Sequence, residues 1–305
     1  MVLDTNMKDL ERDYNPNNYT RKKVNVGYHI TKWVVFFIFV VYAITLLYPF
    51  LWMLINALKT RGDFNGGNYF GLPKEFSGKN FIEVLSMTLP GSSETVGMMF
   101  VMSVITTVLG TLLNVGFSTC AAYVIAKFKF PGRGFIYGLA IFTMVVPIVG
   151  TLPAQISMME TLGLDDSLIG VLFLYSGCFG FNFILMYSSF TSVSDTYIEA
   201  ASVDCAGRFK TFFRVILPMV KGPLIACSVL TAIGYWNDYQ TPFLYLPDDY
   251  QTLAVGLQQF QSEYDRFDKP LVFASMLISI LPILILYLVF QKRIIKSTNA
   301  GGLKG

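Results

Sequence analysis

Six stretches of the chain contain no Asp, Glu, Lys or Arg: Trp33 to Leu58, Thr95 to Ala126, Gly134 to Met159, Ser167 to Tyr187, Gly222 to Asn237 and Pro270 to Gln291. All but the fifth exceed the roughly 18 residues that mark an apolar run as a spanning helix. Adding Asp238 and the apolar residues through Leu246 makes the fifth long enough. The pattern predicts an all-α, polytopic membrane protein with six transmembrane helices. The second run has 32 residues and would measure about 48 Å as one helix, against a hydrocarbon core of ~30 Å, so it must tilt, kink or project. In the third run Pro147 and Pro153 flank Gly150, which predicts a bent or broken helix. Gly170, Gly177 and Gly180 in the fourth are small positions that let helices approach closely. The polar stretch after the first run is rich in Gly and Asn and long enough to fold as a small cap.

Composition agrees with this division. Of 305 residues, 53% are hydrophobic and 14% charged, and the mean hydropathy is +0.52, too apolar for a soluble chain of this length. If both termini are cytoplasmic, the segments on that side hold 17 Lys and Arg and the outer loops hold 6. The positive-inside rule therefore places both termini in the cytoplasm. The N-terminal residues are polar, with no short apolar run and small-residue cleavage site, and predict no cleaved signal peptide. The organisation is then a polar cytoplasmic arm over 1–31, a six-helix transmembrane domain over 32–296 and a Gly-rich cytoplasmic tail over 297–305.

Candidate chemistry is sparse. Cys120, Cys178, Cys205 and Cys227 have no metal-ligand or disulfide spacing and read as small apolar fillers. His29 is the single histidine, which excludes a His-based metal centre, and no nucleophile and base pair stands out among the spans. No Gly-x-x-x-x-Gly-Lys-Ser/Thr phosphate loop is present, so this chain has no such site for ATP. The chain reads as a non-enzyme with no catalytic residues, no metal and no nucleic-acid partner. An ion-coupled secondary transporter or channel would need ionisable groups buried in its spans, and only Asp238 comes close.

The loop over 194–219, between the fourth and fifth runs, is polar and helix-forming. Ser194 or Asp195 can cap a helix whose early acid is Glu199. Ile198, Ala201, Ser202 and Cys205 share one narrow face. Gly207 is placed to end that helix in a left-handed conformation. Phe209, Phe212, Phe213 and Ile216 then form an aromatic stripe opposite Arg208, Lys210 and Arg214, and Pro218 ends the element before Pro223 opens the fifth span. Spacing alone fits an amphipathic pair lying on the membrane surface as well as a docking element.

Glu199, Ala200, Ala201, Asp204, Leu217 and Pro218 resemble the coupling-loop signature of binding-protein-dependent ABC importer permeases, with a departure at Cys205, where the family's Gly would fall. From Tyr48 onward the chain is similar to the carbohydrate-uptake branch, in particular the shorter maltose-type permease subunit. The residues that carry this are Ala121-Ala122-Tyr123 leading into Phe130-Pro131-Gly132-Arg133, then Trp236-Asn237-Asp238-Tyr239, the run Thr252 to Leu257 and the tail Ala300 to Gly305. Ser297 stands where relatives usually have Gly.

The resemblance implies a type I ABC importer permease fold in the bacterial cytoplasmic membrane. It implies import of a sugar or oligosaccharide together with a second permease subunit, a dimer of ATPase subunits that bind ATP and Mg, and an extracytoplasmic sugar-binding protein. Cys205 and Gly207 join the six signature residues as ATPase-coupling positions, and Gly301, Gly302, Lys304 and Gly305 become an ATPase-contacting tail. From composition alone that tail reads as a positive-inside anchor with a mobile end. Asn114, Tyr175, Asn182, Tyr235, Trp236 and Asn237 are substrate-pathway candidates by composition and depth, each also readable as a helix-packing or interfacial residue. Asp248, Asp249, Glu263, Asp265 and Asp268 form an acidic outer loop that either touches the binding protein or is merely solvated.

Overall fold

A computed structural model of the protein describes residues 26–89, 93–145, 150–262 and 268–302. These residues are mostly helical, and an isolated antiparallel bridge joins Thr88 to Thr95. The N-terminal arm before residue 26 lies outside the described residues, as do Pro147, Glu263 and Asp265. The chain divides into two units, Met1–Trp52 and Met53–Gly305. Everything described in the first belongs to helix α1 (Val26–Ala57). Its apolar side chains from Ile30 onward are largely exposed, the surface that lipid covers.

In the second unit α2 (Arg61–Asn65) and α3 (Lys79–Ser86) fold the loop after the first span, followed by the rod α4 (Val96–Lys127). Four shorter helices come next: α5 (Arg133–Val145), α6 (Leu152–Leu162), α7 (Leu168–Tyr175) and α8 (Phe181–Ser192). The loop helices are α9 (Thr196–Val203) and α10 (Arg208–Met219). α11 (Lys221–Asn237), α12 (Gln240–Tyr245), α13 (Leu253–Ser262) and α14 (Lys269–Gly302) complete the described chain.

Among the described residues, three helices are long and apolar enough to cross a membrane: Ile30–Ala57, Val96–Lys127 and Lys269–Lys292. α10 and α11 meet the test together but meet at 82°. The third apolar run is divided between α5 and α6, with Pro153 in the first turn of α6, where a missing N–H is harmless. The fourth run corrects the sequence reading. It is not one helix, because α7 stops at Tyr175 and α8 begins after Gly180, whose φ of 141° is open only to glycine. Close approach applies at Gly170, where a Cβ would sit 1.9 Å from the Leu164 carbonyl oxygen, and not at Gly177 or Gly180, where it would meet nothing.

α4 is the centre of the second unit and packs on α7, α8, α11 and α13. Along its middle the inward face is built largely of small and hydroxyl residues, including Ser103, Thr107, Gly110, Thr111 and Ser118, and the outward face carries Val108, Leu112 and Phe117. This inverts the soluble pattern. Lipid offers no hydrophobic drive between helices, so small side chains and short hydrogen bonds hold them together. At one end, Tyr123 packs against Phe190 of α8 and Phe212 of α10.

At the opposite end α2 and α3 form the expected cap. The Asn80 amide donates to the carbonyls of Ala57 (2.6 Å) and Lys59 (2.8 Å). The fully buried Lys59 ammonium donates to Asn56 Oδ1 at 2.8 Å and to the Asn68 carbonyl. Burial pushes the Lys59 pKa down while Asp63 opposes the shift. Asn80→Leu leaves two buried carbonyls unpaired and is expected to cost roughly 2–3 kcal/mol, read from denaturant unfolding in detergent. The exposed neighbour change Lys79→Ala should stay within about 0.5 kcal/mol.

Candidate functional site

The break between α7 and α8 faces α4 and collects most of the polar candidates. Asn114 donates both amide hydrogens to backbone carbonyls, at 3.0 Å to Tyr175 and 2.9 Å to Gly177. Asn182 donates to Asn114 Oδ1 (2.8 Å) and Thr231 Oγ1 (2.7 Å). The Tyr235 hydroxyl donates to the Tyr175 carbonyl at 3.0 Å, and the two tyrosine rings stack with centroids 3.8 Å apart. The Tyr175 hydroxyl in turn donates to Asp238 Oδ2 at 2.9 Å. Gly110 lies under this stack, where a Cβ would come within 2.6 Å of the Tyr175 ring.

Four of the six pathway candidates thus form one cluster. Trp236 and Asn237 lie apart, beside a groove of about 140 Å³ shared with Tyr239, Leu257 and Ser279. Trp236 is buried and donates from its indole to the Ser279 carbonyl at 3.0 Å, and exposed Asn237 bonds within its own helix to Ile233. Gly110 and Thr231 escaped sequence reading because a small residue in an apolar run carries no signal of its own. Asp238 was visible as an ionisable group but not as the partner of Tyr175.

The second candidate region is the pair α9 and α10. Ile198 and Ala201 pack inward, while Glu199, Ala200, Val203 and Asp204 are exposed. The narrow face read from the spacing is therefore split, because Ser202 and Cys205 are also exposed. The aromatic stripe divides too: Phe212 and Ile216 are buried, and Phe209 and Phe213 are exposed beside an apolar groove of about 250 Å³. Ahead of Pro218, Phe212–Ile216 widens into a π-turn, with the Leu217 N–H bonding to the Phe212 carbonyl. A proline without an N–H, and with a ring that crowds the preceding turn, favours such a widening.

The helix stop lies two residues before the predicted one. Cys205 has φ 55°, and Gly207 has φ −64° and ψ 158°, extended geometry that precedes α10. The Ala206 N–H bonds to the Ala201 carbonyl (2.9 Å) and the Cys205 N–H to Ser202 (3.1 Å), the paired bonds of a Schellman C-cap. The left-handed residue is therefore the cysteine and not the glycine. At the other end, Asp195 occupies the N-cap but makes no side-chain capping bond. Its carboxylate accepts from Lys127 Nζ at 2.6 Å, and the same ammonium donates to the Val193 carbonyl at 2.5 Å.

Lys127, aided by Lys129 and Arg133, holds the Asp195 carboxyl below the usual carboxylate pKa. A carboxylate lowered in this way contributes stability above its unfolded value of about 4 and loses it only as pH falls through the lower folded value. The ion pair is therefore constant through the neutral range. Of the tail residues, Gly301 and Gly302 end helix α14, and Lys304 and Gly305 lie outside the described residues.

An interrupted polar cluster among lipid-exposed helices and an exposed helical elbow define a multi-pass helical membrane protein of the permease class. Residues 115–299 match the family described as binding-protein-dependent transport system inner membrane component, and the chain belongs to that family. It is 31% identical, over 93% of this chain and 91% of the relative, to the probable ABC transporter permease protein YurM of Bacillus subtilis. It is 28% identical, over 86% and 85%, to the diacetylchitobiose uptake system permease protein NgcG of Streptomyces coelicolor. A chain in the crystal structure of a bacterial ABC transporter that imports the acidic polysaccharide alginate superposes with a TM-score of 0.74, at 26% identity, covering 88% of this chain and 97% of that one. The protein is thus a permease of the cytoplasmic membrane and not an enzyme.

Two outcomes follow from this geometry. Cys205→Gly should raise stability by roughly 1 kcal/mol, because it relieves a left-handed Cβ, while Gly207→Ala, in extended backbone, should change it by less than about 0.5 kcal/mol; thermal unfolding in detergent reads both. Asn114→Leu should lower stability by about 1–2 kcal/mol, and Asn237→Ala should have little effect.

Proposed function

We propose that this chain is the permease subunit of a binding-protein-dependent ABC importer for a sugar or oligosaccharide, coupled to separate ATPase subunits through α9 and α10. The observation that carries this reading is the exposed edge of α9: Glu199, Ala200 and Asp204 are presented outward on a helix whose other side is anchored in the fold. They match the signature through which relatives of this class engage an ATPase. The carbohydrate assignment draws on the relatives named for diacetylchitobiose and alginate.

In this reading six spans cross the membrane: α1, α4, the pair α5 and α6, the pair α7 and α8, α11 continued by α12, and α14. Both termini and the α9–α10 elbow face the cytoplasm, where 17 of the 23 Lys and Arg then lie. A second permease completes the pathway, an extracytoplasmic binding protein delivers the sugar, and ATP with Mg is bound by the ATPase dimer. A groove of about 320 Å³ between α9 and α10, bordered by Ala200, Asp204, Lys210 and Arg214, offers both charge signs to the ATPase. The Gly-rich tail, with Gly301, Gly302, Lys304 and Gly305, is assigned to the same partner. The ion-coupled alternative gains no support from Asp238, which is engaged by Tyr175 and by the Thr241 N–H.

The test is uptake and binding-protein-stimulated ATP hydrolysis by the reconstituted complex, with wild type compared to Glu199→Arg after normal insertion is confirmed. Both activities should fall at least about tenfold, the loss of ~1.4 kcal/mol or more of coupling. Unchanged uptake without ATP would place the chain among secondary carriers.

A further inference from the structure

Asp195 breaks a local rule. An aspartate at the N-cap ordinarily accepts from the first free N–H groups of its helix, a bond worth about 1 kcal/mol. Here the carboxylate turns away from α9 and pairs with Lys127, the last residue of α4. Lys127 is 4% exposed and its partner 71% exposed, so the ammonium is built into the fold and the carboxylate belongs to its surface. The same ammonium also holds the Val193 carbonyl at the end of α8. One cation therefore fixes the last turn of α8 and the first residue of the elbow to the end of α4.

α10 is tied to the same place. Tyr123 and Phe212 have ring centroids 4.6 Å apart, and the Arg208 guanidinium lies over the Phe128 ring at 5.3 Å. α4 itself contains no proline and runs without a break from Val96 to Lys127. Lys127 lies 13 residues beyond Asn114, about 20 Å along a straight helix. The far end of that lever holds the carbonyls of the α7–α8 break. A rod with the elbow clamped to its end and the polar cluster clamped to its middle converts displacement of one into displacement of the other.

We infer that the Lys127–Asp195 pair is the joint through which movement of the α9–α10 elbow passes into α4 and from there to the cluster around Asn114. Lys127 and Asp195 act as positioning residues, and the inference rests on the importer reading above. If the pair served only to stabilise the fold, its loss would lower yield and stability while leaving the elbow and the cluster moving together. If it is the joint, its loss uncouples them.

The test uses the assembled complex in lipid nanodiscs, with Cys120, Cys178 and Cys227 replaced by Ala. With Cys205 replaced by Ser as well, one spin-label distance runs from Phe209→Cys, exposed on α10 outside the signature residues, to the ATPase and reports the elbow. A second runs from Gly177→Cys, whose carbonyl accepts from Asn114 and whose Cβ would meet nothing, to the companion permease and reports the cluster. In wild type, ATP with vanadate should shift both distances. In Lys127→Met, and in Asp195→Asn, which removes only charge from an exposed group, the elbow shift should persist while the cluster shift falls by at least half; Lys127→Arg should restore most of it. Two unchanged shifts in both variants would overturn the inference, and so would loss of both shifts, since the pair would then serve docking. No shift in wild type at either position would count against the importer reading itself.

Discussion

A break between two helices packed against a third leaves carbonyls that must find donors, and here the donor is Asn114. A buried carbonyl left without one costs about 1–3 kcal/mol. Asn114 supplies both amide hydrogens to the end of α7, and the Tyr235 hydroxyl supplies a third to the same turn. Its own oxygen is taken by Asn182, which also reaches Thr231 on α11. The break is therefore a fixed feature that joins α4, α7, α8 and α11 through polar atoms. Gly110 is a consequence of it, because the stacked tyrosines need the space that a side chain there would fill.

The same constraint explains the composition of α4. A helix that must sit at the centre of several others without a hydrophobic drive needs a face that admits close backbones, and Ser103, Thr107, Gly110, Thr111 and Ser118 provide one. Its large apolar residues are turned outward, Leu112 at 66% exposure and Phe117 at 50%. Bulk returns to the inner face at both ends, with Met99 and Met102 toward the Thr95 end and, toward Lys127, Tyr123, which meets Phe190 and Phe212. α4 thus grips its neighbours through hydrogen bonds and small residues along its middle and through aromatic packing and one ion pair at its end.

Uncharged runs located the long helices to within a few residues, because exclusion of charge from hydrocarbon is the strongest rule such a chain obeys. Thr95, the first residue of its uncharged run, caps α4, which begins one residue later, and the proline-flanked run divides as expected. The break at Gly180 was not legible. Gly177 and Gly180 look the same in sequence whether they admit a neighbour or turn the chain, and the deciding bonds come from Asn114, more than sixty residues away. Residue type and depth alone mark the pathway candidates, so the spatial division of Asn114, Tyr175, Asn182 and Tyr235 from Trp236 and Asn237 has no sequence signal. In the elbow, glycine is the ordinary left-handed residue and points to a helix stop at Gly207, whereas the hydrogen bonds put Cys205 there.

Cys205 and Asp195 are the two ends of one short helix, and both are locally unfavourable. α9 has eight residues, an N-cap whose side chain bonds elsewhere and a C-cap with a strained left-handed cysteine. A helix of that length is marginal in water even when well capped, so its own sequence supplies little of its order. What fixes it lies outside: Ile198 and Ala201 packed against the fold, and the Asp195 carboxylate held by α4. The orientation of α9 is therefore dictated from outside the helix, by α4 and by the residues that Ile198 and Ala201 pack against. A short element held weakly from within and firmly at its ties moves with the element it is tied to.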